Sequence, residues 1–569
     1  MIAAAATAVL SVLLLLQTGS HDVVHWFGGW KPQHGVAIGI AFYADPFAAG
    51  AAAFAGVIVT AALVYSWRYM EESPRLYRVL MLVFLAGVNG FALSADLFNL
   101  FVWFELSAVA AYALAGYLVE QLGPLQGAIN FAITNSIAAL MVLFGIALLY
   151  ARTGALNLAQ IGSSLSHGRA DGLVIVAFTL VVAGFLIKSA LVPFHLWLAD
   201  TYAVAPAPVC LVFAAVMSEL GLYGVARVYW TVFSGTFAAH NGAITGVLLG
   251  VGLATALLGA VMAFLQRHLK RLLAYTVISH AGVTLVGIAL LDSKGLAGAA
   301  NLVLSHGFLK GALFLGAGVV LRTYGDVDEL RLYGRARGLR VLGVLLVLAA
   351  VGLADVPYVG TFLGHSLLDE AASASGRGWI SPLVALAIAV STAAVLRSVG
   401  RIFFGLGTRR DPLLTAEPPE EAAAEEASRP LMVAVVAVLA AAGLALSLVP
   451  GLQESSEAAA DRFRDRQAYV ATVLRDQAHD YQQPPAVLHA AESSSIAYGL
   501  GAAVGAFALA GLGLYRTRLR SGLTAAAGRA LDPPVAVLKA WHSGVAADYV
   551  AWLTVGTVVL GGIWAFTLR

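Results

Sequence analysis

About fifteen stretches of this chain are each apolar over about 20 residues, the length an α-helix needs to cross the hydrocarbon core of a bilayer. They fall near 1–17, 47–67, 78–96, 98–118, 127–150, 172–194, 206–231, 243–265, 272–291, 297–321, 339–372, 380–404, 431–449, 495–515 and 546–567. No ordinary soluble domain is built this way. A composition of 60% hydrophobic and 12% charged residues, with a mean hydropathy of +0.83, says the same. The expected fold is an all-α polytopic membrane protein of about 15 transmembrane helices. The first run, MIAAAATAVLSVLLLLQTG, has no basic segment ahead of its apolar core, so it reads as a transmembrane helix and not as a signal peptide.

The near-neutral net charge of +2 gives no argument for nucleic acid as a partner. With Cys210 as its single cysteine, the chain has no intrachain disulfide and no cysteine-held metal or cluster. No catalytic centre, metal site or cofactor is therefore expected here, and any electron-carrying centre belongs to another chain.

Orientation follows from the cations between the runs. Numbering the connections alternately, one side collects Arg68, Arg75 and Arg78, then Arg267, Lys270 and Arg271, then five arginines from Arg322 to Arg340, then Arg401, Arg409 and Arg410, and last Arg516, Arg518 and Arg520. The other side holds scattered Arg152, Arg169, Lys294 and Arg377. By the positive-inside rule the first side is cytoplasmic, which places the N-terminus inside a cell membrane of prokaryotic type. Two segments do not span: an acidic, proline-containing loop at 411–430, and 453–485, whose charges and apolar residues at helical spacing put it along the outer surface, ahead of a Gln-Gln-Pro-Pro linker.

Two runs are interrupted. Lys188 sits in VVAGFLIKSALVPFHLWLAD, where Pro193 removes a backbone donor and clashes with the preceding turn. The run 339–372 carries GLADVPYVGTFLGHSLLDE, with Gly352, Pro357 and Gly360 close together. Grouping 78–231 and 243–404 as two blocks of five helices puts the interrupted helix fourth in each. Five being odd, the second block enters from the opposite side, so the two form inverted repeats whose broken helices point to a transport site. The expected divisions are 1–77 (N-terminal helices), 78–231 and 243–404 (the repeats), and 405–569 (an extension with the amphipathic segment and three further helices).

Ionisable side chains inside the spans mark the chemistry, since a charge there is costly and usually faces an ion or proton pathway. Glu105, Lys188, Glu219, His306, Lys310 and His365 form this set. His306 and Lys310, four residues apart, share one helix face. Carboxylates, amines and imidazoles in a dry interior suit proton transfer, and the pairing of Glu105 with Lys188 would decide whether that lysine holds its proton. His280 reads as structural or as lying at the cytoplasmic mouth, and His195 and Trp197 as filling space near the surface. The blander alternative is that the charged groups are static pairs holding helices together.

LIKSALVPFHLWLADTYAVAPAPV, RLLAYTVISHAG and SHGFLKGALFLGAG, in this order, resemble the antiporter-like subunits of respiratory complex I (NADH-quinone oxidoreductase), Mrp-type cation/proton antiporters and membrane-bound hydrogenases, over roughly 45–405. HSGVAADYVAWLTVG and the outer amphipathic segment are similar to the C-terminally extended members. The resemblance implies proton translocation, with or without a monovalent cation, inside a multisubunit membrane complex. It assigns Glu105 to the family's conserved glutamate, Lys188 to the lysine of the first broken helix, and His306 and Lys310 to the central histidine and lysine. His365 then stands where the second broken helix carries a lysine or glutamate. Two departures stand out: Glu219, in SELGLY, replaces a bridging cation, and Ala354 and Asp355 replace a double proline. The N-terminus is one helix short of the pattern. Two other functions remain open: a non-conducting structural subunit, and an energy-coupling subunit for inorganic-carbon uptake, which a zinc-enzyme-like soluble partner would mark.

Overall fold

The computed structural model describes residues 1–68, 74–118, 120, 122–166, 171–411, 414, 429–477, 479–482, 484, 487, 491–516, 533, 536 and 544–568. Most of the acidic loop, Arg169, Arg518, Arg520, part of the Gln–Pro linker and the start of HSGVAADYVAWLTVG lie outside the described residues. Among those described, twelve helices are long and apolar enough to cross a membrane, and three apolar helices are shorter: Ile2–Thr18, Gly172–Lys188 and Arg340–Leu353. The protein is an all-α polytopic membrane protein. Its one described sheet is a two-stranded antiparallel hairpin, β1 (Val23–Trp26) and β2 (Ala41–Ala44), with Val23 opposite Ala44.

In chain order the helices are α1 (Ile2–Thr18), α2 (Pro46–Tyr65), α3 (Pro74–Leu93), α4 (Leu97–Ala115), α5 (Leu122–Thr153), a short α6 (Leu158–Leu165), α7 (Gly172–Lys188) and α8 (Leu196–Val204). Then α9 (Ala207–Val212) and α10 (Ser218–Val228) form one span with π-helical turns at Phe213–Met217 and Tyr229–Phe233. There follow α11 (Asn241–Leu265), α12 (Leu269–Ala289), α13 (Ser293–Tyr324), α14 (Arg340–Leu353), α15 (Phe362–Ala374), α16 (Ile380–Val399), α17 (Arg429–Ala445), α18 (Leu452–Arg464), α19 (Arg466–Arg475), α20 (Ser493–Tyr515) and α21 (Ala546–Thr567).

Helix starts are set by short acidic side chains. Asp45, Asp96, Asp171 and Asp292 each accept the backbone N–H three residues on, filling donors that a helix N-terminus leaves unmet. The centre of the bundle is α12, buried along its whole length, flanked by α13 and by Ala207–Phe233. Without a hydrophobic drive between helices in lipid, close approach of small residues does the packing. A Cβ on Gly282 of α12 would stand 2.4 Å from Ala256 N of α11.

Both expected interruptions are present as gaps between helices. After Lys188 the backbone leaves helical geometry at Ala190 (φ 53°), and helix resumes at Leu196. The carbonyl of Ile187 takes a hydrogen bond from Trp197 Nε1 (3.1 Å), and Val192 N–H donates to Thr255 Oγ1 (3.0 Å). In the second gap Asp355, Tyr358 and Gly360 all have positive φ. Gly360 N–H donates to Leu444 O (3.1 Å) at the end of α17, and Ser447 Oγ donates back to Gly360 O (2.8 Å). Irregular backbone at membrane depth is tolerated where protein supplies its partners, and here α11, α8 and α17 supply them.

The extension is stitched to both halves. The segment 453–485, expected along the outer surface, begins as two short helices meeting at Asp465, and both are partly buried. Phe463 of α18 lies under the guanidinium of Arg227 (3.9 Å), itself paired with Asp45 at 2.7 Å. α20 packs on α16 and α21 on α7. Tyr549 of α21 donates to Asp200, which also accepts from Arg271 (2.9 Å). Glu329, fully buried, joins Arg397 (3.2 Å) and Arg401, and Arg401 reaches Asp411 (2.9 Å) and Gly513 O (3.1 Å) of α20.

Candidate functional site

Lys188, the last residue of α7, is completely buried, at the end of a stretch, Val181–Lys188, in which every residue is buried. Its Nζ stands over the rings of Phe104 (5.1 Å) and Phe131 (5.6 Å) and has no hydrogen-bond partner. Glu105, one residue on from Phe104, is half-buried, and its Oε1 is likewise unpartnered. The two lie within electrostatic range of one another but form no ion pair within 4 Å. Aromatic faces, and not the Glu105 carboxylate, lie against the Lys188 amine.

The next group lies across a close helix contact. Gly221 of α10 abuts Phe185 O and Ser189 Oγ, beside Lys188, and Glu219 is two residues before it. A π-helical turn at Phe213–Met217 immediately precedes α10, a distortion common at functional sites. Glu219 is buried; its Oε1 lies 3.4 Å from Lys310 Nζ, and its Oε2 has no partner. Tyr202, whose buried hydroxyl lies beside Ser218, is within electrostatic range of Glu219.

From Lys310 the set continues through three imidazoles. His306, one turn before Lys310 on α13, stacks on His280 of α12, with ring centroids 4.0 Å apart and planes at 20°. His365 of α15 meets His306 edge-on at 5.9 Å. Neither ring nitrogen of His306 has a partner, whereas His365 Nδ1 lies 3.0 Å from Asp355 Oδ1 in the second gap. His280 Nε2 is 3.5 Å from Ser391 Oγ. Further along α15, Asp369 and Glu370 are buried, and Glu370 pairs with Lys294 at 2.7 Å, close to the N-terminus of α13.

The structure thus brings Glu219, Lys310, His306 and His365 together, and places Glu105 and Lys188 beside the neighbouring break. Pro193 and Pro357 lie in the two gaps; Gly360 lies where a Cβ would stand 2.1 Å from Gly352 O. His280 is not at a cytoplasmic mouth: it is wholly buried in the cluster. Trp197 is not filler at the surface either, since it stacks flat on Phe131 (4.6 Å, 4°) and holds the break. Asp355, Asp369 and Glu370 join the site unannounced. The available signal for Asp355 was an acidic residue inside an interrupted apolar run.

Chemically, this is a row of groups that accept and donate protons, several with unpartnered atoms. Among the described residues no three His, Cys, Asp or Glu side chains are placed to hold a metal ion.

Comparison with known proteins agrees with this architecture. Residues 94–391 match the family model described as NADH:quinone oxidoreductase/Mrp antiporter, transmembrane. A Na(+)/H(+) antiporter subunit of Bacillus subtilis is 29% identical over 382 residues, 66% of this chain and 74% of that protein. An NADH-quinone oxidoreductase subunit of Desulforudis audaxviator is 33% identical over 337 residues, 58% of this chain and 66% of that one. A chain in the structure of the Mrp complex from Dietzia sp. DQ12-45-1b superposes with a TM-score of 0.71 at 25% identity, covering 83% of this chain and 93% of that chain.

Proposed function

Because the chain belongs to the NADH:quinone oxidoreductase/Mrp antiporter membrane family, we propose that it moves protons across the membrane as one subunit of a larger complex, either redox-driven or a cation/proton antiporter. Protons enter at Glu105 and Lys188, pass to Glu219 and Lys310, and continue through His306 to His365, with Pro193, Pro357 and Gly360 fixing the breaks that expose the relay. His280 and Asp355 join it. The N-terminus is cytoplasmic, residues 78–231 and 243–404 are the inverted repeats, and the work that drives the movement is done by neighbouring subunits.

One observation carries this reading: Lys188 is a buried amine with no ion partner. A static pair would be closed; an unpaired amine in a dry pocket is a proton site whose state depends on how near Glu105 comes. Substituting Lys188→Met in the complex, reconstituted in proteoliposomes, tests it. Driven proton movement should fall at least tenfold while the complex stays assembled. Undiminished proton movement would sink the proposal and favour a structural subunit.

A further inference from the structure

A cavity of about 870 Å³ reaches Glu219 from one end of the bundle. Its floor is Glu219 with Ala215 and Leu220, and Phe54, Val303 and Leu304 line its walls. Its mouth is polar: Asp461, Arg462 and Asp465 of the extension stand there with Tyr481 and Gly19. Arg462 ties that rim together by donating to Asp22 and to Gly19 O (3.4 Å) and by stacking on Tyr481 (3.8 Å). The mouth lies at the end where α1 finishes and α2 and α13 begin, which in the orientation proposed above is the outer side.

We propose that this cavity is a wet vestibule through which Glu219 exchanges protons directly with the outer side, so that Glu219 is an outer terminus of the relay in its own right. The inference rests on the proton-moving reading above and adds a route that the two broken helices do not predict. Glu219 lines the cavity and is 5% exposed; its Oε1 faces Lys310 at 3.4 Å, and its Oε2 is buried and unpartnered. An unsatisfied carboxylate oxygen is expensive in an apolar setting and cheap against water. Purely apolar cavities stay dry, but this one is charged at its floor and its rim and is far larger than a single water needs.

The transfer balances as follows. Lys310 in its ammonium form gives one proton to Oε1 of the Glu219 carboxylate, leaving a neutral amine and a neutral acid. Rotation of the protonated carboxyl then carries that proton from the Lys310 side to the cavity side, where it passes to water and the carboxylate is restored, and the amine is reprotonated from the relay.

The test uses the assembled complex in sealed vesicles of either orientation, with Cys210→Ala removing the native thiol. Val303→Cys and Ala299→Cys are introduced singly on the α13 wall of the cavity. A membrane-impermeant cationic methanethiosulfonate added from the outer side should label both and lower proton flux at least fivefold; added from the inner side it should do neither. In the wild-type complex, a water-soluble carbodiimide applied from outside should modify Glu219, which needs no variant to fold. No labelling from outside, or labelling with unchanged flux, or an unmodified Glu219, overturns the vestibule. If these fail while Lys188→Met still abolishes transport, the relay stands and only this exit falls; if Lys188→Met is harmless, the relay itself is wrong whatever the thiols report.

Discussion

Lys310 of α13 and Glu219 of α10 form a buried ion pair, 3.4 Å from Nζ to Oε1. Lys188, equally buried, has no such partner. The two lysines therefore answer differently to substitution, and the difference separates a proton relay from a set of braces.

Glu219→Gln should leave a buried ammonium without its counter-charge, and breaking a buried pair from one side costs about 3–5 kcal/mol. Adding Lys310→Met to the same chain should recover most of that loss, because a pair replaced by apolar volume is close to neutral. Unfolding of the purified complex for both singles and the double completes a mutant cycle. Additive effects would contradict a direct pair.

For Lys188→Met the expectation is reversed. The side chain lies over two phenylalanine faces with its nitrogen unpartnered, so a thioether of similar length should leave stability unchanged or higher while proton movement is lost. The midpoint of thermal unfolding and the proton flux, measured on one preparation, report the two halves of this prediction. A large fall in the midpoint would mean that the lysine is structural.

Gly360 is fixed by its backbone. At φ 62°, with a Cβ position 2.1 Å from Gly352 O, Gly360→Ala should misfold the second break and prevent recovery of intact protein. Gly376 also has positive φ (71°), but nothing stands near its Cβ position, so Gly376→Ala should cost only about 1 kcal/mol. Equal yields and equal unfolding midpoints for the two would refute the steric account.

Asp22, in the turn before β1, is buried against the extension. Burial, with Asp45 nearby as the second cause, raises its carboxyl above the usual range despite the opposing pull of Arg462 and the Tyr43 hydroxyl. A raised value in the fold means that the folded state holds the proton more tightly than the unfolded chain. That contribution is full below the unfolded value of about 3.9 and is lost as pH rises through the folded one. Docking of α18 should loosen over that window, and Asp22→Asn should flatten it. Hydrogen exchange of the α18 amides across pH, corrected for intrinsic rates, would show the slope or its absence.

Much of this was legible before any coordinates. Apolar length gave apolar runs at the described spans, and Pro193 in the first run and Pro357 with its glycines in the second located the breaks, because each is a local property of the chain. The pairing of Glu219 with Lys310 was not legible, since it joins residues 91 positions apart. Of the two readings of His280, the cytoplasmic mouth fails for the same reason: nothing in AYTVISHAG says that α13 will lay His306 flat against it. Whether Lys188 meets Glu105 was open in the sequence, and the phenylalanines that lie against it were invisible as ligands because sequence reading counts aromatic residues as filling. The β1–β2 hairpin went unread, its strands being four residues each.

The indole of Trp197 lies flat on Phe131 and is hydrogen-bonded back to the severed end of α7. These two contacts tie α8 back to α7 across the gap, where Ile187 O also accepts from the Ala190 N–H (3.0 Å). In the relay proposed above, the moving part at this station is then the Lys188 side chain, a switch of a few torsions between its aromatic walls and Glu105.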